Sequence, residues 1–158
     1  MSGDLSEVRW LSEPEMHAWR SYVVATLRLR QRLHRELVEA HKISLTDYEV
    51  LVCVSLKPEE KMRMSELATM LGSTKSRLSH QVGRMESTGL VVRIADPEDK
   101  RAIVVELTEE GRNLLNLAAP THVTGVRAHL IDRLSTQEQE VLGDSFERVL
   151  IKLEESES

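Results

Sequence analysis

Met16, Trp19, Val23, Leu27, Leu33 and Leu37 recur mostly at three- or four-residue steps with Arg and Glu between them, the spacing of one buried stripe on a long helix. Ser12-Glu13-Pro14-Glu15 has the Ser-x-x-Glu spacing of a capping box, with Pro in the first turn, where its missing N–H costs little. The pattern therefore predicts a helix from residue 13 to near Lys42, too long for one small core to cover, so part of its stripe is expected to meet another chain. Thr46-Asp47-Tyr48-Glu49 repeats the capping spacing ahead of Val50-Leu51-Val52-Cys53-Val54-Ser55-Leu56, which is apolar on nearly every side. That run reads as a short central helix, with a buried strand as the alternative its β-branched residues leave open. Lys57-Pro58-Glu59-Glu60-Lys61 ends it.

Ser65 to Gly72 reads as a short helix closed by glycine, and Ser73 or Thr74 caps a further helix ending at Gly89. Two short helices joined by a tight turn are the layout of a helix-turn-helix. After Gly89 the period becomes near-alternating. Val92 and Ile94 are expected to face one way on a first strand, and Ile103, Val105 and Leu107 on a second, around the polar turn Asp96-Pro97-Glu98-Asp99-Lys100-Arg101. Thr108-Glu109-Glu110-Gly111 opens another helix with Leu114, Leu115, Leu117 and Ala118 as its first apolar face, and Pro120 is expected to kink or divide it before a segment from Val123 to Leu134. Ser135-Thr136-Gln137-Glu138 is one more capping box, and Val141, Leu142, Phe146, Val149, Leu150 and Leu153 stripe the last helix. No internal repeat or linker stands out.

The helix after Thr74 carries the chemistry of interest. At about 100° per residue, Leu78, Val82 and Met85 cluster within roughly 60° and form its buried face. Ser76, His80, Gly83, Arg84 and Ser87 lie opposite, with Arg77 and Ser79 on the flanks. Arg offers a fork to guanine or phosphate, Ser bonds a base edge or braces the backbone, and His donates or accepts, all suited to a DNA groove. Gly83 would let another backbone approach closely. The strand turn adds Lys100 and Arg101. An Arg at the tip of a two-stranded ribbon can enter the narrow minor groove of A·T-rich DNA if a carboxylate, here Asp99, orients it.

Charge sharpens this reading. The chain of 158 residues has a formal charge of -5, yet residues 60–101 carry +2 and residues 108–158 carry -5. Screening confines each charge to about 8 to 10 Å, so a locally basic face can bind a polyanion within an acidic protein. Arg28, Arg30, Arg32 and Arg35 form a second basic cluster, read as a solvated helix face. Five aromatic residues, Trp10, Trp19, Tyr22, Tyr48 and Phe146, are too few for the stacking platforms of single-strand binders.

These segments resemble the MarR (multiple antibiotic resistance regulator) family of winged helix-turn-helix transcription factors. Leu45-Thr46-Asp47-Tyr48-Glu49-Val50-Leu51 is similar to the family's entry to its DNA-binding lobe, and Ser65-Glu66-Leu67-Ala68 to its first short helix. The wing is more specific: Asp99-Lys100-Arg101-Ala102-Ile103-Val104-Val105-Glu106-Leu107-Thr108-Glu109-Glu110-Gly111 resembles the pattern D-x-R-[AS]-x-x-V-x-L-T-x-x-G at every fixed position, and Gly89-Leu90-Val91 before it also fits. The resemblance implies a mainly α fold with a small β-hairpin wing: an arm and dimerisation helix over residues 1–44, a winged helix-turn-helix over 45–111 and dimerisation helices over 112–158. It implies a homodimer that reads a near-palindromic operator in double-stranded DNA, with half-site centres roughly 34 to 36 Å apart, and that represses nearby genes until a small anionic aromatic ligand releases it. Trp19, Tyr22 and Tyr48 would wall the ligand pocket and His17 or Arg20 meet the anion, unless these rings are ordinary packing.

Other chemistries find little footing. Cys53, the only cysteine, lies in an apolar run and reads as an inert thiol, unlike the family's peroxide-sensing branch, whose reactive Cys sits in the first long helix. His17, His34, His41, His80, His122 and His129 are scattered without a close ligand pair, so no metal or other cofactor is expected. The chain has no Gly-rich phosphate loop, H-E-x-x-H or G-x-S-x-G, which argues against an enzyme and leaves no catalytic residue to name. Asp4, Glu7 and Arg9 near the start, and the lack of an uncharged apolar run approaching the roughly 20 residues that span a bilayer, place the chain in the cytoplasm, away from membranes. The rival to a DNA-binding regulator is a winged-helix module that binds a protein and has lost DNA contact.

Overall fold

The computed structural model describes residues 8–157; residues 1–7, with the Asp4 and Glu7 read above, lie outside the described residues, as does Ser158. Helix α1, Glu13–His41, begins where Glu15 reaches back to accept the Ser12 N–H at 2.7 Å. It closes at Lys42, which takes a left-handed conformation (φ 58°) and donates its N–H to the Val38 carbonyl. At 1.5 Å per residue α1 is roughly 44 Å long. Leu33 and Leu37 are buried, whereas Trp19 and Leu27 remain 56% and 64% exposed.

Helix α2, Leu45–Ser55, resolves the helix-or-strand alternative: Val50, Leu51 and Val54 are wholly buried, so packing from every side outweighs the mild helix aversion of Val. Its cap is Ser44 rather than Thr46. The Ser44 hydroxyl accepts the Asp47 N–H at 3.0 Å, which starts the helix at Leu45. A short strand β1, Lys61–Arg63, follows, then α3, Met64–Met70, and α4, Lys75–Ser87, capped by Thr74. Strands β2, Val91–Ala95, and β3, Ile103–Leu107, form the wing, and the sheet order is β1-β3-β2, antiparallel throughout. β1 was not foreseen, because Lys-Met-Arg is too short to show an alternation; Met62 lies opposite Val105 and is buried.

The wing's inward phase also differs from the sequence reading on its first strand. Val91, not Val92 and Ile94, faces the core, since Val91 pairs with Leu107 and Arg93 with Val105, while Val92 and Ile94 pair with Glu106 and Val104 on the other side. On the second strand Val105 and Leu107 are buried as expected and Ile103, near the tip, is exposed. Thr108 joins wing to helix: its hydroxyl donates to the Gly89 carbonyl at 2.6 Å and accepts the Gly111 N–H at 3.0 Å. Gly89 itself has φ 79°, a left-handed turn that side chains disfavour.

Helix α5, Glu109–His129, runs through Pro120 without division and stops short of Leu134. Buried Ala118 and Gly125 flank the proline, and Gly125 sits close enough to α1 that an added Cβ would reach Leu33 Cδ2 at 2.7 Å, so α5 still packs on α1 beyond the proline. Leu117 points outward, 67% exposed. A 3-10 turn, Ile131–Arg133, leads to α6, Thr136–Glu157, whose start carries the predicted box: Glu138 accepts the Ser135 N–H at 2.8 Å while Ser135 accepts the Glu138 N–H at 3.3 Å. Among the described residues, no helix is long and apolar enough to cross a membrane.

Candidate nucleic-acid interface

Leu78, Val82 and Met85 anchor α4 in the core, which leaves Ser76, Arg77, Ser79, His80 and Arg84 exposed. The residues chosen from the helical wheel therefore share one accessible surface. Gly83 is a partial exception. It lies beneath the wing, where an added Cβ would meet the Arg93 guanidinium at 3.7 Å, so the close approach is to a side chain of this chain.

Arg93 was not singled out from the sequence, yet it ties the wing to α4. Its backbone N–H and its Nε–H both donate to Glu86 at 2.9 Å, and this pairing, the backbone bond first, holds the Glu86 carboxyl below its ordinary range. A cleft of 390 Å³ opens between α4 and the wing, lined by Ser65, Lys75, Ser79, Arg93, Asp99 and Arg101 among others. Lys75, Arg93 and Arg101 thus line it with Asp99, and of the three cations Arg93 is already paired with Glu86. Lys75 could have been found on the wheel as a flank of the first turn; Arg93 could not, because its role depends on strand pairing.

The wing tip is ordered by two acids. Asp99 accepts the Arg101 backbone N–H at 3.0 Å, so it shapes the turn that carries Arg101 through the main chain. Asp96, which the sequence reading passed over, is 5% exposed; one oxygen accepts the Glu98 N–H at 2.8 Å and the other accepts from Arg63 Nε at 2.5 Å. The Glu98 N–H first, and then Arg63, hold its carboxyl below the ordinary range. Lys100 and Arg101 project from this braced turn into solvent.

The five residues assigned to a ligand pocket separate into different places. Tyr22 contacts Trp19, with ring centroids 6.0 Å apart, and Phe146 of α6 at 5.0 Å. Tyr22, Leu29, Leu130, Leu142 and Phe146 help line an apolar cavity of 540 Å³ between α1, the end of α5 and α6. Tyr48 lies elsewhere, buried in the core against the His122 ring at 4.7 Å. His17 and Arg20 are exposed on the first half of α1. Cys53 is half-buried, and burial followed by the nearby Glu49 charge pushes its thiol up from its usual value.

A three-stranded wing beside α3 and α4 defines a winged helix-turn-helix protein. The sequence model of the MarR family matches residues 43–103. Transcriptional regulator HosA of Escherichia coli is 38% identical over 104 residues, 65% of this chain and 74% of HosA. AbsC, a MarR family transcriptional regulator from Streptomyces coelicolor, superposes with a TM-score of 0.86 at 37% identity, over 93% of this chain and 99% of AbsC. Sco3205, another such regulator from the same organism and solved in complex with DNA, gives 0.85 at 39% identity, over 91% and 94%. This chain belongs to the MarR family, whose members are transcriptional regulators and not enzymes.

Proposed function

We propose that the chain is a sequence-specific regulator that binds double-stranded DNA as a homodimer, with residues 45–111 reading the operator and the segments 1–44 and 112–158 joining the two copies. The observation that carries this reading is the juxtaposition on one surface of the exposed polar face of α4 and the cationic wing cleft, with Lys75, Arg93 and Arg101 around one opening. That surface suits a duplex because α4 can enter the major groove while Arg101 reaches the adjacent minor groove. The DNA complex of Sco3205, at 39% identity, supports it. The exposed apolar residues of α1 and α6 support a second copy as partner. Its action is that of a ligand-released repressor in the cytoplasm. Release requires a ligand, here a small anionic aromatic compound, that binds the DNA-free form better, since equal affinity for both forms shifts nothing.

Selection of bound duplexes from a random pool, followed by a salt titration, tests the reading. An enriched palindrome and a steep fall in affinity with salt are expected. A pool without enrichment, bound with no salt dependence, would overturn it.

A further inference from the structure

A second cleft, of 310 Å³, flanks α4 on the side away from the wing, and its lining includes Arg30 from α1, Thr46 and Glu49 from α2, Ser73 from the α3–α4 turn, and Arg77 and Arg84 from α4. Three guanidinium groups meet there. Glu49 is the one carboxylate among the lining residues, and it accepts both arms of Arg30 at 2.6 and 2.9 Å; the lining itself carries an excess of two positive charges, with Asp47 just behind it accepting from the lining residue Gln81 at 3.0 Å. Arg has five N–H donors, so this bidentate pair leaves part of the Arg30 fork unused.

The helix wheel gives the two clefts a common meaning. At about 100° per residue, Ser76, His80 and Ser87 point outward, Lys75 and Ser79 lie on the wing flank, and Arg77 and Arg84 on the opposite flank. A helix with its side chains is roughly 10 to 12 Å across and the major groove about 12 Å wide, so a helix seated in the groove has a phosphate backbone along each flank. Resting on the DNA-binding reading above, we infer that the second cleft seats a phosphodiester of the backbone bordering that groove, with Arg77, Arg84 and Arg30 as its cationic ligands. Arg30 would then make the long helix α1 part of the DNA contact. Glu49 acts through Arg30 as a positioning residue that also offsets part of the cleft's charge.

This assignment separates phosphate contacts from base reading: Arg77 and Arg84 hold the backbone, while Ser76 and His80 face the bases. It also gives Arg30 and Glu49 opposite effects. Removing Arg30 deletes a phosphate ligand, whereas neutralising Glu49 removes a repulsive charge and frees the whole fork.

The test measures binding of the purified full chain to its selected duplex by fluorescence anisotropy from 50 to about 300 mM salt, for wild type, Arg30→Ala, Arg30→Lys and Glu49→Gln. Arg30→Ala is expected to weaken binding roughly three- to tenfold and to lower the salt slope by about 0.9 per protomer, with the ranking of operator variants unchanged. Arg30→Lys should keep the slope, because the charge remains. Glu49→Gln should tighten binding about two- to fivefold. If the pair is only a strut between α1 and α2, Arg30→Ala and Glu49→Gln weaken binding alike, and the assignment falls. It also falls if wild type shows a salt slope that Arg30→Ala leaves intact. A wild-type chain with no salt slope overturns the DNA reading itself, which distinguishes the two failures.

Discussion

Gly111 packs against the carbonyl of Leu90, where an added Cβ would collide with the oxygen. The obstacle is backbone, and Leu90 is held in turn by the Thr108 N–H donating to that same carbonyl at 3.2 Å. A flexible side chain could yield; this peptide group cannot without shifting the junction of β3 and α5. Gly111→Ala should therefore cost about 1 to 3 kcal/mol and lower the melting temperature by roughly 3 to 10 °C in a thermal melt; an unchanged melt would show that the junction moves freely. His122 makes a different residue-scale prediction. Burial, against the Tyr48 ring at 4.7 Å, pushes its imidazole below the ordinary value, with the Glu49 charge opposing. A depressed histidine is neutral in the folded chain while the unfolded chain takes up a proton below about pH 6.5, so this group subtracts stability as pH falls and none above that value. Denaturant midpoints measured from pH 7.5 to 5.5 should fall less steeply for His122→Gln than for wild type, and equal slopes would remove His122 from the acid response.

At the scale of elements, the wing depends on contacts far apart in sequence. Asp96 joins the wing turn to Arg63 at the end of β1, so the tip is braced from the third strand of the sheet. If Arg101 reads the minor groove from that braced tip, Asp96→Ala and Arg101→Ala should both weaken operator binding, by about tenfold for Arg101→Ala, and both should relax the preference for A·T pairs at the operator's flanks. The double variant should be little worse than Arg101→Ala alone, because each removes the same contact; additive losses in an anisotropy assay would assign Asp96 a separate role. This dependence also explains what the sequence could reveal. Capping boxes at Ser12 and Ser135 and the turn at Gly89 are local devices written within four residues, and they located helix ends closely. The face of α4 followed from the helical period alone. The Arg63–Asp96 pair and the Glu86–Arg93 clamp left no local trace, since each needs strand pairing or a partner 7 to 33 positions away. The inward phase of β2 was misread for a related reason: Val91 and Val92 are equally apolar, and only the pairing of Val91 with Leu107 chooses between them. Of the rings assigned to a ligand, Tyr48 is core while Tyr22 lines the apolar cavity between α1 and α6, a division that depends on tertiary packing and that helical spacing alone does not show.

The whole molecule shows where its own chain fails to cover it. On α6, Val149, Leu150 and Leu153 are 49%, 58% and 55% exposed, and Trp19 and Leu27 on α1 are similarly open. Contiguous apolar stripes of this length are rare on a monomer's surface and favour burial against another chain. Burying a fully exposed Leu or Val side chain is worth roughly 1.5 to 3 kcal/mol, so several such half-exposed residues from each copy are needed to offset the cost of association. If the chain dimerises as proposed, dimerisation governs DNA affinity, because once one lobe is bound the second half-site is met at high effective concentration. Leu150→Glu places a charge in that stripe while leaving the 45–111 segment untouched. Sedimentation should show wild type as a dimer at micromolar concentration and the variant as a monomer. Binding to the full palindrome should weaken by about a hundredfold or more, and the salt slope should fall to about half, since one lobe engages half the phosphates. A variant that becomes monomeric yet binds the palindrome as tightly as wild type would mean that each lobe reads DNA alone and that the long helices serve some other contact.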